Sequence, residues 1–548
     1  MTVRPRGPAP LVAALIVALV ALLVGWPLFR MGQMLWLEGG SEVGAPPGAA
    51  DVLSALGSTL LLAAAVPLAA VPLGTAMALV LRRPDLPWRS FLRAAVLVPI
   101  VVPDFVLGYS WSQAYARGGF TDSVLGRHWA GLLGPAGVWL VLVVNAAPLV
   151  YLVVAVGLAA RAEPDLERAA RASGAGPGTT LVTVTLRLLL PSIAAAAVLV
   201  FVLTVGTFAI PQVLGAPAGF STVTTRIYAD LSLGGDPSSF VDAVRLALLL
   251  VLVTAVLVAP ADALLAPRLR SSRPADPQGT AAVPGRSSTE RAGALALSLY
   301  LLLTLALPLA ALVLSSITRA LGVPPTPANW TLDHYREVLT ARTLEALGRS
   351  LALAVAAASL LVLLGGVLAV VERRRSGRAA ATLVTLTLVL PGSALAVGLL
   401  LAYGRWLSGT LLLILVAYLA KLWAVAHRPI SGALDRLPPD ELRAARASGA
   451  GALTAVRTVV LRPLAPALVG VWLVCLLTAL HEVTMSSLLY GPGSETLAVV
   501  VLNSEELGGI GPTAALSVLL SLLVVLPALL LWTVRGRLRT PAEVTRAG

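Results

Sequence analysis

The residues best suited to chemistry are ionisable side chains that lie inside long apolar stretches. Asp104 follows two prolines, His481 and Glu482 are adjacent, and Lys421 stands close to Trp423. A charged group at membrane depth is costly and usually marks a solute pathway or a proton relay. Prolines free backbone carbonyls that can line a polar cavity. We therefore expect Asp104, His481 and Glu482 to be the candidates for a pathway through the protein.

Two interpretations stay open for these side chains. Asp104 and Glu482 either line a pathway or pair with a neighbour for structural reasons. Lys421 and His427 are expected to reach the membrane interface or to pair locally, because an amphipathic side chain can bury its stem and keep its polar tip in water. A metal site needs three or more convergent ligands, so His481 with Glu482 is not one by itself. No metal site and no catalytic residue is predicted.

The composition is that of a protein that crosses a membrane many times. The chain has 548 residues, of which 57% are hydrophobic and 12% charged, and its mean hydropathy is +0.89. A soluble domain cannot bury so much apolar surface. A single cysteine, Cys475, excludes an intrachain disulfide. The net charge of +13 comes from Arg residues in short segments between apolar runs, which favours a membrane topology over nucleic-acid binding.

Apolar windows of about 20 residues predict twelve membrane helices and hence an all-α polytopic membrane protein. The first window is expected to be a retained helix and not a signal peptide, because it is long enough to span and no convincing cleavage site follows. The predicted spans are 10–29, 56–81, 91–112, 136–160, 183–209, 243–266, 293–316, 349–371, 380–403, 409–427, 464–481 and 512–534.

The distribution of arginine predicts the orientation of the chain. With the N-terminus inside, 29 of the 39 Arg residues fall in inward-facing segments. Positive residues accumulate on the cytoplasmic side of membrane proteins. The bias towards Arg, Ala, Gly, Pro and Leu is typical of a GC-rich bacterial genome. We therefore expect a multi-pass protein of the bacterial inner membrane with both termini in the cytoplasm.

The chain reads as an internal duplication of a six-helix unit. Arg82 after the second span matches Arg373 after the eighth, and Pro99 in the third span matches Pro391 in the ninth. Six helices return the chain to its starting side, so both halves share one orientation, and a pore or binding site is expected at their interface. The predicted divisions are a first half at 1–266, a cytoplasmic linker at 267–292, a second half at 293–534 and a cytoplasmic tail at 535–548.

A nearly identical polar segment occurs in both halves, at 164–176 and 439–451. Each begins with Pro-Asp, which suits a helix start, and reaches a glycine, Gly174 or Gly449, that can end a helix in the left-handed conformation. We predict a short helix of about nine residues whose Ala side chains let a partner backbone come close. A loop helix resting on its own bundle would satisfy the same pattern. Near-identity between halves that have otherwise diverged favours docking of one kind of partner on each copy.

These segments resemble the EAA loop of binding-protein-dependent ABC transporter permeases. The family pattern is Glu-Ala-Ala, a Gly four positions after the second Ala, and a later apolar-x-Leu-Pro. Arg168 and Arg443 take the place of the usual Glu, Arg187 and Arg462 that of the usual Pro, and a carboxylate precedes each motif by one or two residues. In that family the loop is a coupling helix that fits a groove on the ATPase subunit. The docking residues that the resemblance implies are Glu167, Arg168, Ala169, Ala170, Arg171 and Gly174, with Glu441, Arg443, Ala444, Ala445, Arg446 and Gly449.

The same resemblance implies the partners. The only Lys, Lys421, has no glycine frame around it, so the chain holds no phosphate-binding loop of the Walker type. ATP is therefore expected on a separate ATPase subunit, present in two copies, and an extracytoplasmic binding protein is expected to deliver the solute. The chain itself is expected to be no enzyme, to bind no cofactor, and to contact the lipid bilayer but no nucleic acid.

Further segments resemble the ferric iron permeases, with thiamine and phosphonate permeases close to them. These segments are 224–228 after the fifth span and 481–493 after the eleventh. The expected cargo is a small solute, ferric iron first, with thiamine, phosphonate or polyamine as alternatives. A secondary transporter that couples to protons through Asp104 or Glu482 is a second possibility, but it gives no reason for the duplicated helices. A polytopic membrane enzyme would need a clustered catalytic set, which four scattered His and one Cys do not supply.

Overall fold

The computed structural model describes residues 9–38, 49–83, 86–161, 164–234, 236–270, 287–437 and 439–538. These residues are almost entirely helical. The extended pairing among them is one isolated antiparallel bridge between Thr318 and Trp330. The prediction of an all-α protein is confirmed.

Ten helices in the described chain are long and apolar enough to cross a membrane, and two bent pairs of helices raise the number to twelve. Each of the twelve coincides with one predicted span. The straight spans are Pro10–Leu37, Asp51–Leu81, Pro135–Ala160, Pro177–Val205, Ser238–Leu257, Arg291–Ile317, Ala341–Val371, Leu411–Leu434, Val456–Leu480 and Ile510–Pro527. The bent pairs are Arg89–Val101 with Asp104–Leu125 and Gly377–Thr387 with Gly392–Leu407. Shorter helices are Pro164–Ala172, Val223–Ser232, Asp333–Val338, Pro439–Ala447, Thr484–Leu489 and Leu497–Glu506.

The third and ninth spans are each broken at a proline and turn by 106°. Pro103 and Pro391 both have extended backbone, with ψ of 139° and 138°, immediately before a new helix begins. Proline cannot donate the helical hydrogen bond, so the chain changes direction there. The sequence analysis matched Pro391 with Pro99, and this match is wrong. Pro99 is buried inside the helix Arg89–Val101, and Pro103 occupies the position in the third span that Pro391 occupies in the ninth.

Small residues let the straight spans approach closely at matching places in the two halves. Asp51–Leu81 packs along Pro135–Ala160, and Ala341–Val371 packs in the same way along Leu411–Leu434. A Cβ added at Gly74 would lie 2.6 Å from the carbonyl oxygen of Ala147, and one at Gly365 would lie 3.0 Å from the backbone nitrogen of His427. Close contact of two membrane helices at small residues is how such pairs gain van der Waals attraction.

The two halves exchange their first spans. The first span contacts both limbs of the bent ninth span, and the seventh contacts both limbs of the bent third span. The hydroxyl of Tyr403 donates to the carbonyl of Leu22 at 2.6 Å, and the indole of Trp111 donates to the carbonyl of Thr304 at 3.2 Å. Each half therefore supplies a helix to the other, and the bundle is interlocked.

The predicted linker is described only at its ends. The helix that begins at Pro237 continues to Arg270, and the next begins at Ser287. Residues 271–286, the centre of the predicted linker, lie outside the described residues. The helix that starts at Ile510 reaches Leu538, and 539–548 of the predicted tail are likewise outside.

Candidate functional site

Two short helices of nine residues, Pro164–Ala172 and Pro439–Ala447, lie six spans apart and hence at the same end of the bundle. Each is followed by a glycine in the left-handed region, with φ of +88° at Gly174 and +84° at Gly449. The same backbone hydrogen bond closes both turns: Ala175 N–H donates to Ala170 O at 3.0 Å, and Ala450 N–H donates to Ala445 O at 3.1 Å. The short helices and their glycine ends agree with the sequence prediction.

One face of each short helix is open to solvent. No atom lies within 4 Å of a Cβ built at Gly174 or Gly449, so both turns face empty space. Within the part of the chain that the structure describes, Arg168 and Arg443 each pair with an aspartate of their own helix, at 2.7 and 3.3 Å. The exposed side chains at matching positions are Arg168, Ala169 and Arg171 in the first copy and Arg443, Ala444 and Arg446 in the second. Ala170 and Ala445 are half-buried beneath them.

Glu167 does not belong to this exposed face. It is 6% exposed and accepts two hydrogen bonds from the Arg82 guanidinium, at 3.2 and 3.0 Å, and one from the Thr185 hydroxyl at 2.7 Å. Burial by itself would raise the pKa of Glu167, but the hydrogen bonds from Arg82 and Thr185 outweigh it and hold the pKa below its ordinary value. Its carboxylate ties the helix to the end of the second span, so it is not free to meet a partner.

The second copy is held differently. Leu442 stands where the first copy has Glu167, and Glu441 is exposed. Arg373, the counterpart of Arg82, pairs instead with Asp435 in the preceding loop at 3.3 Å, in an exposed position. In the first half an ion pair therefore ties the short helix to the end of the second span, whereas in the second half the matching arginine bonds to the loop that precedes the short helix.

The other candidate site is a cavity of about 400 Å³ between the halves. Its walls come from the two bent spans, from the fourth and tenth spans, and from the ends of the fifth and eleventh. The sequence-predicted residues Asp104, His481 and Glu482 all line it. The other polar side chains on its wall include Asn145, Thr207 and Lys421.

Lys421 and Glu482 are each bonded to the end of a helix. The Lys421 ammonium donates to the carbonyl of Leu388 at 2.9 Å and to that of Leu390, which close the first limb of the bent ninth span. The Glu482 carboxylate accepts from the amides of Met485 at 2.9 Å and Ser486 at 3.1 Å, at the start of Thr484–Leu489. A cation at a helix C-terminus and an anion at an N-terminus are both stabilised by the helix dipole. Of the two roles expected for Lys421, reaching the membrane interface or pairing locally, the structure shows local pairing.

Asp104 is placed differently. It opens the second limb of the bent third span and is exposed to the cavity. Its Oδ1 accepts one hydrogen bond, from the Asn145 amide at 3.0 Å. His481 is near enough to interact with it electrostatically. Among the cavity charges of the described chain, Asp104 is the one turned towards open space.

Sequence reasoning missed Asn145 and Thr207 and did not place Lys421 on the cavity wall. A polar amide within the apolar run 138–150 was the signal for Asn145, since such groups are rarely kept in a membrane helix without a partner. Lys421 was visible in sequence, but its carbonyl partners appear only when the ninth span is seen to break.

A family model described as the binding-protein-dependent transport system inner membrane component matches residues 70–271 and, again, residues 361–539. The chain belongs to this family. Because the model matches twice, the protein is a fused permease of two homologous halves, as the sequence predicted. Membership implies a solute-binding protein and an ATPase as partners, and a permease subunit that is not itself an enzyme.

Several curated permeases are similar to this chain. The putative 2-aminoethylphosphonate transport system permease protein PhnV of Salmonella paratyphi A is 28% identical over 42% of this chain and 89% of its own length. The probable ABC transporter permease protein y4fN of Sinorhizobium fredii is 26% identical over 87% of this chain and 85% of its own length. The putrescine transport system permease protein PotI of Escherichia coli is 30% identical over 33% of this chain and 69% of its own length.

Proposed function

We propose that this permease imports a small solute, which an extracytoplasmic binding protein delivers and which crosses the membrane through the cavity between the halves. The observation that carries the proposal is the pair of exposed, nearly identical helices at one end of a bundle whose halves enclose a polar cavity. Each helix receives one copy of the ATPase, and ATP is bound there and not on this chain. Closure of the two ATPases moves the docking helices and so changes which side of the membrane the cavity faces.

The docking end lies in the cytoplasm in this proposal, together with both termini. The excess of Arg in segments at that end supports the orientation. The docking surface consists of the exposed Arg and Ala side chains and the glycine turns of both copies. Glu167 acts behind this surface, through its bonds to Arg82 and Thr185, while Glu441 stays on the exposed side.

The docking assignment is tested by replacing Gly174 and Gly449 together with Glu. Both turns face open space, so a longer side chain meets the partner and not the bundle. The double variant is expected to lose copurification with the ATPase, while each of its two substitutions lowers the Tm in detergent no more than Gly126→Glu does, because all three glycines have a positive φ. Gly126→Glu is the matched control, because Gly126 also has a positive φ, of +64°, and open space, but lies one span away at the opposite end. Equal copurification of the double variant and the control would remove the docking assignment.

The solute is a choice between two chemical classes. The motifs at 224–228 and 481–493 favour ferric iron. Two named relatives act on 2-aminoethylphosphonate and on putrescine, and both of these compounds carry a primary amine. Purifying the cognate binding protein with its natural ligand and identifying that ligand by mass spectrometry and metal analysis separates iron from an amine.

A proton-coupled secondary transporter is the competing mechanism. Reconstitution of the permease with its ATPase and binding protein in liposomes separates the two. We expect solute uptake to require ATP on the side of the membrane where the ATPase is bound, and to continue when the proton gradient is collapsed. Uptake driven by an ion gradient without ATP would reject the importer.

A further inference from the structure

The cavity between the halves holds four ionisable side chains, and their bonding shows which of them is available to a solute. The four ionisable side chains that line this one cavity are Asp104, Lys421, His481 and Glu482. Each ammonium or carboxylate has a fixed number of hydrogen-bonding positions. A group whose positions are taken by backbone atoms supports the fold, and one with open positions can bind a ligand.

Two of the four are occupied by the backbone. Lys421 donates to the carbonyls of Leu388 and Leu390. The Glu482 carboxylate accepts from the backbone amides of Met485 and Ser486. The Glu482 contacts also continue to the Ser486 hydroxyl, which bonds to the buried hydroxyl of Tyr418 at 2.7 Å. Neither charge can turn to a solute without breaking a helix end.

Asp104 retains open positions. An ionised carboxylate offers about four acceptor positions, and the Asn145 amide fills one of them. Asp104 also stands in the first turn of the twelve-residue helix Asp104–Tyr115. The Asp104 carboxylate therefore faces a polar cavity, and the Lys421 ammonium on the wall of that cavity is bonded to backbone carbonyls.

His481 adds a second open group beside it. Its Nδ1 is buried and has no hydrogen-bond partner in the described structure, and its ring interacts electrostatically with Asp104. A buried polar atom without a partner costs free energy unless a ligand or water completes it. Asp104 and His481 come from opposite halves, so a ligand between them would also bridge the halves.

We propose that Asp104 is the binding residue for a cationic organic group, of which a primary ammonium is the simplest form, on the solute that crosses this cavity. The proposal rests on the proposed import function. A cavity of about 400 Å³ has the size of small-molecule sites. A bare metal ion fits less well, because no group of three metal-ligating side chains occurs in the described chain, and ammonium needs only one carboxylate with neutral acceptors around it. An anion without a cationic group would meet Asp104 as a like charge.

The test measures binding to the permease–ATPase complex in nanodiscs without any binding protein. Radiolabelled putrescine is the probe, and the competitors are 2-aminoethylphosphonate, ethylphosphonate and ferric citrate. We expect the amine-bearing phosphonate to compete and both ethylphosphonate and ferric citrate to fail. Asp104→Asn keeps an oxygen that accepts from Asn145 but removes the charge, and it is expected to weaken putrescine binding by about tenfold or more.

Asp333→Asn is the matched control, since Asp333 is an exposed carboxylate outside the spans, and its putrescine affinity is expected to equal that of the wild type. Thermal unfolding checks that Asp104→Asn still folds. Unchanged putrescine binding in Asp104→Asn, equal competition by ethylphosphonate, or no binding of either amine each overturns the site. ATP-dependent uptake in liposomes is measured separately. If the protein imports a solute that has no cationic group, the inference about Asp104 is wrong and the proposed import function still holds.

Discussion

Arg82 and Glu167 form a two-pronged ion pair that joins the end of the second span to the first docking helix, and the second docking helix has Leu442 where Glu167 would stand. Two parallel hydrogen bonds fix the orientation of the guanidinium relative to the carboxylate as well as the distance between them. The first docking helix, which follows the fourth span, is therefore tied to the end of the second span, whereas in the second half Arg373, the counterpart of Arg82, pairs with Asp435. In the proposed mechanism, movement of an ATPase docked on this helix reaches Asp51–Leu81 through this ion pair.

Glu167→Gln is expected to loosen the first docking helix alone. The change removes the charge that holds Arg82 and weakens a partly buried, charge-assisted contact by about 1 to 3 kcal/mol. Hydrogen–deuterium exchange should rise in 164–172 and stay unchanged in 439–447, which serves as the internal control. Glu441→Gln, at an exposed carboxylate, should alter neither segment. A rise in both segments would mean that the bundle as a whole has been destabilised.

Gly174→Ala is expected to weaken ATPase binding, because a side chain at φ +88° is strained. The left-handed conformation costs an L-residue about 1 to 2 kcal/mol, which corresponds to about tenfold in affinity. Gly176→Ala is the control: Gly176 has an ordinary φ of −66° and open space around it. Titration of the ATPase onto each variant in nanodiscs measures the difference, and equal affinities would show that the turn is not held in this conformation.

Gly74→Ala is expected to destabilise the bundle. Its Cβ would lie 2.6 Å from both Ala147 O and Val150 Cβ, so two packed spans must separate. Overpacking of this kind costs about 1 to 3 kcal/mol. Gly57→Ala in the same span has no atom within 4 Å and should leave the Tm unchanged or raise it slightly. Thermal unfolding of the two variants in one detergent gives the comparison.

Glu482→Ala is expected to reduce stability as well as transport, in contrast to Asp104→Asn. Removing the carboxylate leaves the amides of Met485 and Ser486 without their acceptor at the start of Thr484–Leu489. Loss of a helix cap costs about 1 to 2 kcal/mol. A lowered Tm for Glu482→Ala beside an unchanged Tm for Asp104→Asn would support the division of roles, and the reverse order would refute it.

The membrane helices and the two short helices follow from the sequence because both depend on local pattern. A window of apolar residues is enough to place a span, and Pro-Asp at one end with a glycine at the other is enough to place Pro164–Ala172. The positions of the two 106° breaks could not be predicted from the local sequence alone. Several prolines lie inside spans without breaking them, such as Pro148 and Pro429, so the sequence could not single out Pro103.

The roles of the buried charges depend on long-range contacts that no local pattern carries. Glu167 sits one residue before a docking motif, yet its partners are Arg82 and Thr185 on other helices. Asp104 and Glu482 looked equivalent in sequence, and only the bonding of each separates an open carboxylate from a helix cap.

The exchange of first spans bears on how the protein is made. The first span emerges from the ribosome long before the ninth, which supplies most of its contacts, including the bond from Tyr403 to Leu22. It must therefore wait in the lipid without its partner while most of the chain is synthesised. The seventh span, by contrast, finds the third already inserted. A chain truncated before the ninth span would therefore leave the first span without most of its contacts, although its contact with the sixth span would remain.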